Sequence, residues 1–247
     1  MEMLFYTAGH TPALTHTVAA LKAAGIPFCD RPDLAATHLL LPVPSFSPDG
    51  NLRGGGDIDI LLPQLSPNIC IVGGNLDRPE LERFPKVDLL RDSLYLAENA
   101  CITAHCAVKL AMAHLSVTLR GCRVLVVGWG RIGKCLAALL KQMGAVVTVA
   151  ARKSADRAML HALDYDTVPI EALDTRPYRV IFNTVPVMVL PQCPGDALKI
   201  ELASVPGMGG SDVITARGLP GTDAPESSGD LIARTVLRLL NGKEAQL

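Results

Sequence analysis

Gly128, Gly130 and Gly133 stand at G-x-G-x-x-G spacing, with Trp129, Arg131 and Ile132 filling the gaps. The chemistry of that spacing is pyrophosphate binding. The first glycine permits a tight turn, the second lets a phosphate reach the backbone, and the third lets the following helix pack on its strand. The N–H groups at the start of that helix then face the phosphates. About 20 residues further on, an acidic side chain would take the ribose 2′-OH of NAD. The chain has instead Ala150-Ala151-Arg152-Lys153-Ser154, followed by Arg157. Two cations and a hydroxyl suit a 2′-phosphate, because a guanidinium can donate two parallel hydrogen bonds to it. The expected cofactor is NADP, with NAD as the alternative.

The elements that must position these groups are legible around them. Residues 124–127 form a continuous apolar run, the pattern of a strand buried on both faces of a parallel sheet. A helix is predicted over 132–143, with Leu136, Leu139 and Leu140 on its apolar face and Gly144 as its stop. A second buried strand is predicted over 146–150. This strand–turn–helix–strand unit fits in about thirty residues, as a dinucleotide-binding unit requires.

The remaining chain is read in the same way. A strand at 4–7 leads through Gly9-His10-Thr11-Pro12 into a helix running to Ala24, and further strands are predicted at 26–28 and 38–42. This second strand–helix–strand beginning has no glycine fingerprint, so its first turn is expected to bind something other than a dinucleotide. The loop 42–56 is rich in Pro, Ser and Gly, and its Ser45, Ser47 and Arg53 are candidates for holding a polar substrate. A fourth strand is predicted over 69–74, with short apolar pieces at 87–90 and 94–96. A helix follows from Thr103, read as its N-cap, to Thr118. Beyond Arg152 come a helix over 155–163, strands at 166–168, 179–182, 199–202 and 212–215, and a closing helix over 225–240. The expected domains are an N-terminal α/β substrate domain (1–100), a connector helix (101–120), an NAD(P)-binding Rossmann domain (121–222) and a C-terminal helix (223–247) returning to the first domain.

With 247 residues, 49% of them hydrophobic and 19% charged, the chain can build two modest domains. A formal net charge of −1 argues against nucleic acid or a membrane surface as partner. No apolar run reaches the 18 or so residues of a membrane span, and Met1-Glu2-Met3 does not open a signal peptide, so a cytoplasmic location is expected. The seven cysteines form no C-x-x-C pair and no zinc spacing with histidine. Free, mostly buried thiols and no metal are expected.

Taken in order, these residues resemble the family of the dipicolinate synthase A subunit. The matching elements are Leu41-Pro42-Val43 with its glycine-rich loop, residues 126–133, Ala151-Arg152-Lys153-Ser154, and Asn183-Thr184-Val185-Pro186. They continue with Leu202-Ala203-Ser204-Val205-Pro206-Gly207, Gly218-Leu219-Pro220-Gly221 and Ala224-Pro225. The glycine fingerprint is generic, whereas the N-T-x-P, L-A-S-x-P-G and G-L-P-G elements in this order are specific. The resemblance implies an α/β fold of two Rossmann-like domains, the C-terminal one an NAD(P)-binding doubly wound parallel sheet, arranged as in 2-hydroxy-acid dehydrogenases. It implies NADP-dependent oxidation of dihydrodipicolinate to dipicolinate (pyridine-2,6-dicarboxylate) in the mother cell of a sporulating bacterium. It also implies a partner, the flavoprotein-like B subunit, within a homo- or hetero-oligomer.

On that reading His105 is the first candidate for general base, while Ser204 and Thr103 are candidates for bonding a substrate carboxylate. Asn183, Thr184 and Pro186 are expected at the nicotinamide side of the cofactor, and Arg217 pairs with a carboxylate or stays solvated. The chain departs from the family in three respects. Its first domain is shorter, Thr103-Ala104-His105-Cys106 stands where a Thr-x-Glu-Gly element is expected, and Arg217 stands where a proline is expected. Two other readings remain. One is a different NADP-dependent oxidoreductase of the 2-hydroxy-acid dehydrogenase type, and the other is a non-catalytic NADP-binding regulatory subunit.

Overall fold

The computed structural model describes residues 3–242. The chain divides into two compact units, one drawn from the segments up to Asn99 and from Pro220 onward, the other Ala100–Leu219. Both are α/β, and each is built on a sheet whose strands all pair in parallel.

In the first unit, β1 (Phe5–Thr7), α1 (Pro12–Ala23), β2 (His38–Leu40), the short α2 (Ile58–Leu61), β3 (Cys70–Gly73) and β4 (Lys86–Asp88) follow one another. The four strands lie in the order β1-β2-β3-β4. The strand expected at 26–28 is a single parallel bridge from Phe28 to Phe5, held by Phe5 N–H to Pro27 O (2.9 Å) and Cys29 N–H to Phe5 O (2.7 Å). Pro27 has no N–H to donate, which curtails the ladder there. α1 starts where Thr11 caps it, its hydroxyl accepting from Leu14 N–H at 3.2 Å, with Pro12 in the first turn. It stops before Gly25, whose φ of +83° suits a residue without Cβ.

α3 (Ser93–His114) carries the chain from the first unit into the second. The helix starts ten residues before the expected N-cap, so Thr103 is a buried position in its middle and not a cap. The pieces 94–96, read as isolated and apolar, are its first turn. Asp92 supplies the capping oxygen, accepting from Tyr95 N–H at 2.7 Å.

The second unit contains β5 (Arg123–Val127), α4 (Arg131–Gln142), β6 (Val146–Ala150), α5 (Ser154–Ala162), β7 (Asp166–Val168), β8 (Val180–Asn183), β9 (Leu198–Glu201) and β10 (Val213–Thr215). Its six strands lie in the order β10-β9-β8-β5-β6-β7. Renumbered within the unit this is the 3-2-1-4-5-6 order of a doubly wound dinucleotide-binding sheet. The apolar run 124–127 is fully buried, as a strand covered on both faces requires. All seven cysteines are free, but only Cys106 is buried; Cys101 is exposed and the other five are half-buried, which corrects the expectation of mostly buried thiols.

α6 (Leu219–Asp223) and α7 (Pro225–Leu240) close the chain, and α7 packs on α1 of the first unit. The packing is close because of Gly229: a Cβ there would stand 2.5 Å from His16 Cβ and 2.8 Å from Ala13 O. Thr17 Oγ1 donates to Ala13 O at 2.8 Å and reaches Gly229 O at 3.3 Å, while Leu14, Leu21, Leu231, Ile232 and Val236 are buried.

Candidate functional site

In the second unit the strand order reverses between β5 and β8, and in open parallel sheets ligands bind outside the carboxyl ends of the strands at such a point. The loops that leave those two ends are the glycine fingerprint and Asn183-Thr184-Val185-Pro186.

Gly128 ends β5 with φ +107°, a conformation that L side chains rarely adopt, and its N–H donates to Ala150 O at 2.9 Å. A Cβ on Gly128 would stand 2.4 Å from Thr184 Oγ1, and one on Gly133 would stand 2.2 Å from Gly128 O. Both glycines therefore answer to close approach within the protein. Gly130 differs: its φ of −79° is ordinary, and a Cβ there would meet nothing within 4 Å. Nothing in the protein requires that residue to be small, and the space above it is open to a ligand. α4 begins at Gly130 without any side-chain cap, leaving its first N–H groups open, as an anion-binding helix start needs. The half-buried Trp129 stands edge-on to Tyr165 at 6.0 Å, with the Lys134 ammonium 5.7 Å from its ring centroid. Arg131 is exposed and Ile132 half-buried in the first turn of the helix.

At the end of β6, Arg152, Lys153 and Ser154 are all exposed. Arg157 takes another part. Its Nη1 donates to Ala151 O (2.8 Å) and Arg152 O (2.7 Å), so it props the turn that presents the other two cations. No carboxylate stands in the segment 150–154.

The β8 end is organised by a residue absent from the expected set. Glu201, at the end of β9, is only 1% exposed and its carboxylate accepts from Asn183 Nδ2 (2.9 and 3.0 Å), Ala203 N–H (3.0 Å), Gly207 N–H (2.7 Å) and Met208 N–H (3.0 Å). These bonds shape the whole Leu202–Met208 turn and tie it to the β8 loop. Gly207 fits because a Cβ there would lie 2.4 Å from Asn183 Nδ2 and 2.6 Å from Val185 O. The one sequence signal for Glu201 is its place between the apolar Ile200 and Leu202; buried there, a carboxylate is tolerated only with many donors.

Asn183, expected at the cofactor, is fully buried, and its side chain is engaged by Glu201 and by Val185 O and N–H. Its part is to position the loop. Thr184 donates from Oγ1 to Val127 O at 2.9 Å, joining the β8 loop to the fingerprint strand, and Pro186 is exposed beyond it. Ser204 is exposed at the tip of the turn that Glu201 holds. The structure thus brings the fingerprint, Thr184, Asn183 and the Ser204 turn together through hydrogen bonds. His105 is exposed on α3 and Arg217 is exposed after β10, and no hydrogen bond or ion pair links either to these loops among the described residues.

In the first unit, Ser45 is fully buried, donating to Pro42 O (2.8 Å) and accepting from Gly74 N–H (3.0 Å). Ser47 bonds Asp49 and Asn51 O within its own turn. Both hydroxyls therefore hold the loop together, in place of the substrate contacts expected of them. Among the described residues, no group of three or more His, Cys, Asp or Glu is placed to hold a metal, and no helix is long and apolar enough to cross a membrane.

No family model matches the chain. Over 204 residues it is 30% identical to the dipicolinate synthase A subunit of Bacillus subtilis (strain 168), covering 73% of this chain and 68% of that protein. The chain belongs to the family of the dipicolinate synthase A subunit. The crystal structure of the A subunit from Bacillus halodurans superposes with a TM-score of 0.83 at 20% identity, covering 97% of this chain and 98% of that one. L-alanine dehydrogenase superposes with a TM-score of 0.64 at 10% identity, covering 97% and 90%. The α/β fold is thus shared with the A subunit and with L-alanine dehydrogenase, in keeping with the two Rossmann-like domains that the resemblance implies.

Proposed function

We propose that this family member is an NADP-dependent dehydrogenase that oxidises dihydrodipicolinate to pyridine-2,6-dicarboxylate, together with a flavoprotein-like B subunit, in the cytoplasm of a sporulating mother cell. The observation that carries the reading is a glycine loop at the switch point of the six-stranded sheet, open at Gly130 and flanked by Arg152 and Lys153, in a chain of this family. The first unit is the proposed substrate domain and the second the cofactor domain.

The reaction removes a hydride and a proton from the substrate, giving an aromatic ring, NADPH and H⁺. When bound, the nicotinamide ring supplies the hydride acceptor. The residues do the rest. The backbone N–H groups at the start of α4, from Gly130 to Gly133, would hold the pyrophosphate, and Arg152, Lys153 and Ser154 the 2′-phosphate. Thr184 and Pro186 flank the nicotinamide end. His105 takes the proton, and Ser204 donates its hydroxyl to a substrate carboxylate. Asn183 and Glu201 hold Ser204 in place, and buried Thr103 supports the helix that carries His105.

The test is turnover of freshly generated dihydrodipicolinate with NADP, with and without the B subunit, and of a panel of 2-hydroxy acids. Dipicolinate formation in either mixture supports the reading. Turnover of a 2-hydroxy acid alone would replace it with another oxidoreductase. NADP binding without any turnover would make the chain a regulatory subunit.

A further inference from the structure

The first unit has a switch point of its own. Phe28 bridges β1 on one side and β2 pairs it on the other, so the chain order reverses between β1 and β2. The loops at the carboxyl ends of these two strands, residues 8–11 and 41–54, are therefore where this sheet would take a ligand.

The two loops are locked against each other. His10 N–H donates to Arg53 O at 3.0 Å, and Arg53 N–H donates to Ser45 O at 2.9 Å. A Cβ on Gly9 would stand 2.5 Å from Arg53 O, and one on Gly54 would stand 1.8 Å from His10 O. Each loop thus has a glycine where the other touches it, and φ at both is near +80°. Such a junction holds the backbone of His10 and Arg53 side by side.

Two guanidinium groups meet this loop with different duties, Arg53 from within it and Arg78 from the segment after β3. Arg78 bonds Gly50 O at 2.8 Å, pairs with Glu80 and lies 4.3 Å above the Phe46 ring, so its charge is met. Half-buried Arg53 makes one side-chain bond, from Nε to Phe46 O at 3.3 Å. Its Nη1 and Nη2 have no hydrogen bond and no ion pair among the described residues. The group is therefore oriented at one edge and open at the terminal fork, the arrangement that binds a carboxylate through two parallel bonds. Holding the loop requires none of this, since Arg78 and Ser45 already do so.

We propose that Arg53, beside His10, is the carboxylate-recognition site of the amino-terminal unit and takes one carboxylate of a planar dicarboxylate. It deepens the proposed function, resting on that reading for the identity of the ligand as pyridine-2,6-dicarboxylate or its dihydro form. Dinucleotide binding plays no part in it.

The experiment is calorimetric titration of the full chain with pyridine-2,6-dicarboxylate and, separately, with NADP, for the wild type, Arg53→Gln and Arg53→Lys. The expected result is dicarboxylate binding by the wild type, weakened about tenfold or more in Arg53→Gln and partly recovered in Arg53→Lys, which keeps the charge and loses the fork. NADP affinity serves as the folding control and should be the same in all three. Equal dicarboxylate affinity in wild type and Arg53→Gln would overturn the proposal, and so would absence of dicarboxylate binding by the wild type. Arg53-dependent dicarboxylate binding in a chain that does not bind NADP would count against the proposed dehydrogenase and leave this site standing.

Discussion

The side-chain amide of Asn183 donates to both carboxylate oxygens of Glu201, at 2.9 and 3.0 Å, and joins the loop after β8 to the turn after β9. Three backbone N–H groups complete the carboxylate's shell. Replacing Glu201 by Gln turns an NH2 group toward donors that need an acceptor. Glu201→Gln is expected to lower stability by about 3 kcal/mol, since hydrogen bonds to a buried charge are worth roughly 1.5–3 kcal/mol each and their donors stay buried. Urea unfolding measures it, and a loss under about 0.5 kcal/mol would mean that the carboxylate does not organise the turn.

The glycines of the fingerprint separate ligand requirements from folding requirements. Gly130→Val places its side chain in open space at an ordinary φ, so it should fold with an unfolding midpoint near that of the wild type and lose dinucleotide binding. Gly133→Val drives a Cβ toward Gly128 O and should cost about 1–3 kcal/mol of stability. Thermal unfolding and cofactor titration on both variants check the contrast; retained binding by folded Gly130→Val would contradict the pyrophosphate assignment.

Arg152→Asp replaces a partner for a 2′-phosphate with an acceptor for a 2′-OH. The ratio of NADP to NAD affinity should fall by about a factor of ten or more, each tenfold being about 1.4 kcal/mol. An unchanged ratio from paired titrations would remove Arg152 from the cofactor site.

His38 titrates below its ordinary value of 6.5 because burial disfavours its charged form; its ring stacks on Phe5 at 4.7 Å. Below pH 6.5 the unfolded chain takes up the proton before the folded one does, so stability contributed by neutral His38 is present above that value. It is lost as pH falls from 6.5 through the folded value. His38→Phe should flatten this part of the pH profile of the urea midpoint. A wild-type profile no steeper than that of the variant across this range would contradict the assignment.

The dinucleotide unit was legible in the sequence because its glycines, its buried runs and its helix stop are each demanded by backbone geometry. Glu201 was not, since a carboxylate in a strand looks the same in sequence whether it faces solvent or a shell of four donors. Asn183 read as a cofactor ligand for the converse reason: it occupies a strand end, but tertiary packing turns its amide to Glu201. The start of α3 was hidden because residues 93–99 have the short apolar content of a strand or loop and draw their helical state from continuity with the next fifteen residues, through His114. Ser45 and Arg53 share a loop and a candidate role in sequence; only the hydrogen bonds show that one is spent on the loop and the other is open.

Simultaneous measurement of NADPH and pyridine-2,6-dicarboxylate, on adding NADP and fresh dihydrodipicolinate to the chain with a candidate B subunit, tests the proposed function most directly. Equimolar formation of the two, lost in Gly130→Val, is the predicted result. Dipicolinate formed without NADPH, or at the same rate with the variant, would contradict it.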